Sequence, residues 1–148
     1  MSADYHALAA FADELAEAAR AVTTKYFRTD VDADVKADAS PVTIADQETE
    51  ALIRQKIEAT YPDHGIYGEE YGAVRTNAEF VWVLDPIDGT KSFITGKPMF
   101  GTLIGLLHAG RPVVGVSTCR RSMSAGLARA APPRCSTAHR SGLAPVPT

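Results

Sequence analysis

The sequence has little cysteine and no long apolar run. Its two cysteines, Cys119 and Cys135, do not form a CxxC pair, which excludes a disulfide-rich secreted domain and is a weak basis for a thiolate metal site. No hydrophobic stretch approaches the roughly 20 residues of a membrane-spanning helix, so no membrane partner is expected. The first 20 residues include four acidic side chains and lack the basic and apolar regions of a secretory leader. We therefore expect a cytoplasmic protein.

Acidic residues are absent from the last part of the chain. All 18 lie within residues 1–116, which hold 10 of the 15 lysines and arginines and so carry a net charge of −8. Residues 117–148 hold the other five basic side chains, all arginine, without apolar periodicity. We predict an N-terminal domain at 1–116 and a basic tail at 117–148, either disordered or the out-of-frame product of a frameshift. Because the arginines have no interleaved aromatic residues, no nucleic-acid partner is expected.

The apolar pattern within 1–116 predicts two helices followed by strands. Steps of three and four residues predict a helix over roughly 4–27, and Thr43-Ile-Ala-Asp46 has the form of a capping box that opens a second helix. The continuous run Phe80–Leu84 predicts a buried strand, and residues 102–116 predict an antiparallel hairpin. This order predicts an α+β fold in which two helices pack on an antiparallel sheet.

Three acidic clusters could carry chemistry. Asp46 lies in the first turn of the second predicted helix, Glu69-Glu70 follows a short extended piece, and Asp85-Pro-Ile-Asp88-Gly-Thr90 closes the buried strand. Taken singly, each has an ordinary structural explanation as a helix cap, a solvated loop pair or a turn. Two carboxylates three residues apart at a strand end can also converge on one point. Converging carboxylates repel unless a cation joins them, and hard oxygen ligands favour Mg²⁺, with Mn²⁺ as the alternative, over zinc.

The string Asp85–Thr90, with Gly68-Glu69-Glu70 and Ser40–Asp46 before it, resembles the inositol monophosphatase family. The resemblance spans roughly residues 5–116 and keeps the order and approximate spacing of the family's motifs. It implies the N-terminal domain of a layered αβαβα sandwich and a Mg²⁺-dependent phosphomonoesterase. The stretches 61–65 and 91–104 are more similar to the histidinol-phosphate phosphatase branch. That implies hydrolysis of L-histidinol phosphate, a step of histidine biosynthesis, with inositol monophosphate as the alternative substrate.

The resemblance also implies which residues bind metal. Glu69, Asp85 and Asp88 would be ligands through their carboxylates, and Ile87 through its backbone carbonyl. Glu69 and Thr90 would orient and deprotonate the attacking water, and reaction would proceed by in-line displacement at phosphorus.

The remaining site residues would support catalysis and hold the substrate. Asp46 would lie behind the metal ligands or support a more weakly held ion. The backbone of Gly89 and Thr90, together with Lys91, would receive the substrate phosphate. The four scattered histidines and Trp82 are predicted to have no catalytic role.

The sequence departs from the family's pattern after residue 116. Family members are roughly twice as long, and their second half supplies a further metal-binding Asp, whereas residues 117–148 contain no aspartate. We therefore expect a truncated N-terminal half with poor activity of its own, from a family in which homodimers are common. The alternative is a fragment without catalytic activity.

Overall fold

The computed structural model describes residues 4–30, 32–35 and 41–119. Within these ranges the chain forms three helices, which are α1 (Tyr5–Tyr26), α2 (Ile44–Thr60) and α3 (Thr90–Ile94). It also forms seven strands, which are β1 (Ala33–Val35), β2 (Pro41–Thr43), β3 (Gly65–Gly68), β4 (Gly72–Val74), β5 (Phe80–Asp88), β6 (Gly101–His108) and β7 (Arg111–Cys119). None of the described helices combines the length and hydrophobicity needed to cross a bilayer.

The boundary predicted at residue 116 falls inside a strand. β7 continues to Cys119, and residues 117–119 pair with β6. Residues 120–148 lie outside the described residues, so the basic tail remains a prediction.

Helix α1 begins at a capped residue and buries one stripe of small and apolar side chains. Asp4 Oδ1 accepts the backbone N–H groups of His6 and Ala7 at 3.0 and 3.2 Å, so it satisfies donors that the first turn leaves free. The buried stripe has helical spacing. It consists of Leu8, Ala9, Ala12, Leu15, Ala16, Ala19 and Thr23.

Helix α2 begins at the predicted capping box. Thr43 is the N-cap, and both its backbone N–H and its hydroxyl donate to Asp46 Oδ2, at 2.9 and 2.5 Å. Farther along the helix, Ile53 and Ile57 are fully buried. The first turn of α2 is therefore fixed by polar contacts and its later turns by apolar packing.

The main sheet is mixed, which corrects the expectation of an antiparallel sheet. Its strand order is β4-β3-β5-β6-β7, and β3 and β5 run parallel while the other neighbours run antiparallel. The parallel pair arises because β4 folds back on the outer edge of β3, and the chain must then turn again before β5. The predicted α+β class, with α1 and α2 packed on a sheet, is confirmed. β1 and β2 form a separate two-stranded sheet.

The helices cover one face of the main sheet. Trp82 and Leu84 alternate with Val83 along β5, and the first two are buried while Val83 is 36% exposed. Tyr67, which pairs with Val83, and Leu103 on β6 are also exposed. The main core therefore lies between the sheet and the helices, and Trp82 belongs to it.

Candidate functional site

The parallel pairing of β3 and β5 brings two of the predicted ligands to the same edge of the sheet. Gly68 pairs with Leu84, so Glu69 and Asp85 are the next residues of two neighbouring strands that run in the same direction. Strands in this arrangement deliver the residues at their carboxyl ends to one place. Asp85 is partly buried and Glu69 is exposed in the turn after β3.

A shift of register in β5 changes the direction of Asp88. Asp85 pairs with Leu103, whereas Asp88 pairs with Gly101, so β5 holds one more residue than β6 over this interval. In a regular strand, residues three apart point to opposite faces, and an extra residue allows both to serve the same side. Thr102 is buried and donates its hydroxyl proton to the Pro86 carbonyl at 2.8 Å. The irregular segment is thus held in place from β6.

Ile87 has a buried side chain and a carbonyl that faces the site. Its side chain packs in a small apolar cluster, and its carbonyl oxygen lies 3.0 Å from Thr90 Oγ1. The cluster consists of Phe27, Ala45, Ile87, Phe93 and Phe100. Apolar packing therefore fixes the backbone at the point where a carbonyl ligand is predicted.

Gly89 makes the tight turn from β5 into α3. Its φ is +90°, and a Cβ at this position would lie 2.8 Å from the Met99 carbonyl oxygen, so only glycine fits without strain. The Gly89 carbonyl accepts the N–H groups of Ser92 and Phe93 at 2.8 and 3.0 Å. Thr90 therefore starts α3 next to the acidic string, and the Lys91 side chain is exposed on that helix.

Asp46 and Thr90 are in contact, although 44 positions separate them. Thr90 Oγ1 lies 3.2 Å from Asp46 Oδ1, and Asp46 is 2% exposed. Burial raises the pKa of Asp46, and hydrogen bonds from Thr43 and Thr90 oppose that shift. The Thr90 hydroxyl has one proton to give, either to Asp46 or to the Ile87 carbonyl.

Asp85 is the electrostatic centre of the site. Its pKa is raised from 3.8 to about 7, chiefly by burial and then by the charge and hydrogen bonding of Glu69, with smaller contributions from Asp88 and Asp46. The neighbouring carboxylates therefore disfavour the ionised form of Asp85. Within the described residues, Asp85 Oδ1 is one of two buried side-chain polar atoms without a hydrogen-bond partner.

The chemistry of these residues fits a hard divalent cation. The donors are carboxylates from α2, the turn after β3 and the end of β5, and one of them keeps a buried, unpartnered oxygen. All are oxygen donors of the kind that Mg²⁺ prefers. In the described part of the chain, however, no three His, Cys, Asp or Glu side chains are grouped closely enough to hold a metal ion. The acidic residues predicted as ligands therefore come from neighbouring elements, but among the described residues they do not form a closed metal cage.

Sequence reasoning missed one buried carboxylate near the site. Glu50 on α2 is fully buried, and it accepts the backbone N–H groups of Glu70 and Tyr71 at 2.6 and 3.1 Å. Its spacing was the available signal, because Glu50 lies four residues after Asp46 and four before Arg54, as in a helical ion pair. The contact with the turn after β3 depends on tertiary structure and has no local signature.

Comparison with known proteins identifies similar sequences. A family model described as the inositol monophosphatase family matches residues 4–125. The bifunctional phosphatase IMPL2 of Arabidopsis thaliana, described as chloroplastic, is 54% identical over 110 residues, which cover 73% of this chain and 32% of that protein. The histidinol-phosphatase of Chlorobaculum parvum is 45% identical over 104 residues, covering 70% and 40% respectively. The chain spans about a third to two fifths of the length of these relatives.

Solved structures share the fold. An inositol monophosphatase from Zymomonas mobilis superposes with a TM-score of 0.65 at 43% identity and covers 79% of this chain and 45% of its own. The extragenic suppressor protein SuhB from Bartonella henselae gives a TM-score of 0.68 at 27% identity, covering 75% and 44%. In both, the similarity includes most of this chain and less than half of the other.

Proposed function

The chain belongs to the inositol monophosphatase family, and from that premise we propose that it forms the acidic half-site of a Mg²⁺-dependent phosphomonoesterase. The proposed reaction is hydrolysis of L-histidinol phosphate to histidinol and phosphate. The similarity to histidinol-phosphatases supports this substrate, and the similarity to inositol monophosphatases keeps inositol monophosphate as the alternative. As further parts of the same proposal, the protein acts in histidine biosynthesis in the cytoplasm, and its full-length form is a homodimer.

The single observation that carries the proposal is the state of Asp85. The Asp85 carboxylate has a buried, unpartnered oxygen, and burial and other carboxylates raise its pKa to about 7. Such a group destabilises the fold, so its presence indicates a functional role. The same arrangement becomes favourable when a cation compensates the charge. Glu69, Asp85, Asp88 and the Ile87 carbonyl are the groups that would hold it.

Bound Mg²⁺ would neutralise charge on the phosphate and make water a better nucleophile. The chain's own residues do the remaining work. When Thr90 donates its proton to Asp46, a lone pair on Thr90 Oγ1 remains to accept a proton from the attacking water. Glu69 is exposed in the turn after β3, and its proposed role is to orient that water. In this proposal Asp46 acts through Thr90.

The phosphate is proposed to lie at the start of α3. The backbone of Gly89 and Thr90 turns tightly there because a side chain at position 89 would collide with the Met99 carbonyl. The exposed Lys91 follows directly and supplies a positive charge that can reach a phosphate oxygen. Because the phosphate and the acidic residues are both negatively charged, this position is favourable only when a cation lies between them.

The test is release of inorganic phosphate from L-histidinol phosphate and from inositol 1-phosphate, with and without Mg²⁺. Asp88→Asn should reduce any Mg²⁺-dependent release by at least about 100-fold, whereas Asp63→Asn, at an exposed position in the turn after α2, should not. Faster phosphate release from inositol 1-phosphate than from L-histidinol phosphate would identify inositol monophosphate as the substrate instead.

A second candidate is a metal-binding segment without turnover, and the coverage of the relatives favours considering it. A fusion experiment distinguishes this candidate from the proposed phosphatase. If the 148-residue chain releases no phosphate but gains activity when joined to the remaining part of a histidinol-phosphatase relative, it is a half-site. Mg²⁺-independent release by both proteins would contradict the proposal.

A further inference from the structure

We propose that Glu50 is a positioning residue that fixes the turn carrying Glu69. The inference rests on the proposed function, because it concerns the geometry of one proposed metal ligand. It assigns Glu50 no contact with metal or substrate.

The Glu50 carboxylate holds two consecutive backbone groups of the turn. Its Oε2 accepts the Glu70 N–H at 2.6 Å, and its Oε1 accepts the Tyr71 N–H at 3.1 Å. Hydrogen bonds from backbone N–H groups to a buried carboxylate are charge-assisted and are among the stronger polar contacts in a protein. The residue immediately after Glu69 is therefore tied to α2, an element that is itself packed in the core.

Arg54 completes the support and balances the charge. Its Nε donates to Glu50 Oε1 at 2.8 Å, and its Nη2 donates to the Gly72 carbonyl oxygen. The Arg54 guanidinium also lies 6.0 Å from the centre of the Tyr71 ring. Both oxygens of Glu50 therefore have hydrogen-bond partners, whereas Asp85 Oδ1 has none. The Glu50 carboxylate therefore holds the turn after β3 by hydrogen bonds.

On the other side of Glu69, the absence of a side chain at Gly68 leaves room for the Glu50 carboxylate. A Cβ at position 68 would lie 2.0 Å from Glu50 Oε1 and 2.5 Å from Glu50 Cδ, far closer than non-bonded atoms allow. The glycine before Glu69 and the amide after it thus both abut one carboxylate. The same carboxylate therefore lies against the backbone on each side of the proposed ligand, and it holds the following amide by a hydrogen bond.

The two buried carboxylates of α2 reach the two sides of the site. Asp46 contacts Thr90 at 3.2 Å, and Glu50, one helical turn later, contacts the turn that contains Glu69. A helix holds side chains four residues apart at a fixed spacing. α2 therefore sets the relative position of Glu69 and Thr90, which are the two groups proposed to handle the attacking water.

The first arm of the test measures amide hydrogen exchange in the metal-free 148-residue chain. In Glu50→Gln, one side-chain oxygen becomes an NH₂ group that cannot accept a backbone N–H. We expect exchange at Glu70 and Tyr71 to be at least about tenfold faster, with the core of α2 unchanged. The matched control is Glu58→Gln, which changes an exposed glutamate of the same helix. Unchanged exchange at Glu70 and Tyr71 in Glu50→Gln overturns the inference.

The second arm separates positioning from general stability. Mn²⁺ is titrated into the wild-type chain and both variants, and binding is followed by paramagnetic broadening of the Asp85 and Asp88 amides. We expect about tenfold weaker binding by Glu50→Gln and no change in Glu58→Gln. Faster amide exchange with unchanged Mn²⁺ affinity would reduce Glu50 to a structural role and overturn the inference. Absence of binding by the wild-type chain would count against the proposed function, while the first arm would still decide the inference.

A milder variant keeps the inference falsifiable if Glu50→Gln does not fold. Arg54→Lys retains a positive charge beside Glu50 but cannot donate to both Glu50 and Gly72 in the same way. We expect exchange at Glu70 and Tyr71 to rise by about threefold in this variant. No change at these two amides would overturn the inference.

Discussion

The two buried carboxylates of α2 and the Asp85 carboxylate of β5 have different surroundings. Asp46 and Glu50 are at most 2% exposed, and each accepts three hydrogen bonds from side-chain or backbone donors. Asp85 has an unpartnered oxygen, and its closest charged neighbours are other carboxylates. Both oxygens of Asp46 and of Glu50 have hydrogen-bond donors, although burial still raises the pKa of Asp46, whereas Asp85 keeps one oxygen without a donor.

The surroundings of a buried acid indicate whether it stabilises the fold or takes part in binding or catalysis. A carboxylate whose lone pairs are filled by donors stabilises the fold, and its removal leaves those donors unpaired. A carboxylate facing like charges costs stability, and such residues are concentrated at functional sites. The comparison predicts opposite signs for equivalent substitutions in the two regions.

The largest expected effect is on α2. Asp46→Ala removes the acceptor for the Thr43 N–H, the Thr43 hydroxyl and the Thr90 hydroxyl. We expect a loss of about 2–4 kcal/mol in the free energy of unfolding, measured by urea denaturation. Glu48→Ala, at an exposed position of the same helix turn, should cost less than about 0.5 kcal/mol. Equal effects of the two substitutions would remove the structural role assigned to Asp46.

The opposite sign is expected at the strand end. Asp85→Asn should stabilise the metal-free chain by about 1–2 kcal/mol at pH 8, a figure reduced for partial solvent exposure, while abolishing metal binding. The folded-state pKa of Asp85, about 7, lies above its ordinary value of 3.8. The wild-type carboxyl therefore destabilises the fold above pH 7, and this penalty is relieved as pH falls from about 7 towards 4.

Thermal melts at pH 8 and pH 5 measure this difference. The gap between Asp85→Asn and the wild-type chain should narrow at pH 5, and Asp30→Asn, which changes an exposed side chain, should show no such gap. A lower melting temperature for Asp85→Asn at pH 8 would contradict the comparison.

A smaller effect of opposite pH dependence comes from His64. Trp82 Nε1–H donates to His64 Nδ1 at 3.1 Å, and the imidazole stacks on Tyr61 and Phe80 with centroid distances of 4.6 and 4.9 Å. Burial lowers the pKa of His64, opposed by the charges of Asp63 and Glu79. Because the unfolded chain then binds a proton more readily, this histidine's contribution to stability is lost as pH falls below about 6.5.

Combining the two substitutions sharpens the comparison. In the Asp85→Asn background the His64 effect is no longer masked, so the free energy of unfolding should fall between pH 7 and pH 5. Adding His64→Gln, which keeps an acceptor for Trp82, should flatten that dependence, and His6→Gln should not. A pH dependence that survives His64→Gln would assign it to another group.

The smallest effect tests an unpartnered atom with no proposed role. Thr49 Oγ1 on α2 is buried and lacks a hydrogen-bond partner, as Asp85 Oδ1 does. Thr49→Val removes the hydroxyl with little change in shape and should raise the free energy of unfolding by about 0.5–1 kcal/mol. Thr24→Val, at an exposed position on α1, should change it by less. A loss of stability in Thr49→Val would indicate an interaction of this hydroxyl that the described contacts do not include.

Local signals carried much of the fold and the membership of the site. The capping box at Thr43 located the start of α2, and the run Phe80–Leu84 located β5, because caps and buried strands have short-range signatures. Two strand pairings were not foreseen. The pairing of β1 with β2 is local, but β1 lies in a polar, charged segment without an apolar signal, and the parallel pairing of β3 with β5 depends on residues farther apart in the sequence.

The site shows the same division. The string Asp85–Thr90 marks its residues in the sequence, but the contact of Asp46 with Thr90 and that of Glu50 with the turn after β3 exist only once α2 is docked. Sequence spacing can show that two acids share a helix face. It cannot show which of them will meet donors and which will meet other acids.

The parallel pairing of β3 and β5 has a consequence for the order of events during folding. The pair of Gly68 with Leu84 closes a loop that contains the whole of β4, and such closure has an entropic cost before its contacts form. Glu69 and Asp85 become neighbours only when that loop is closed. Local folding of either segment alone cannot bring the two acids together, so the closure of this loop also has to overcome the effect of placing two acidic side chains side by side.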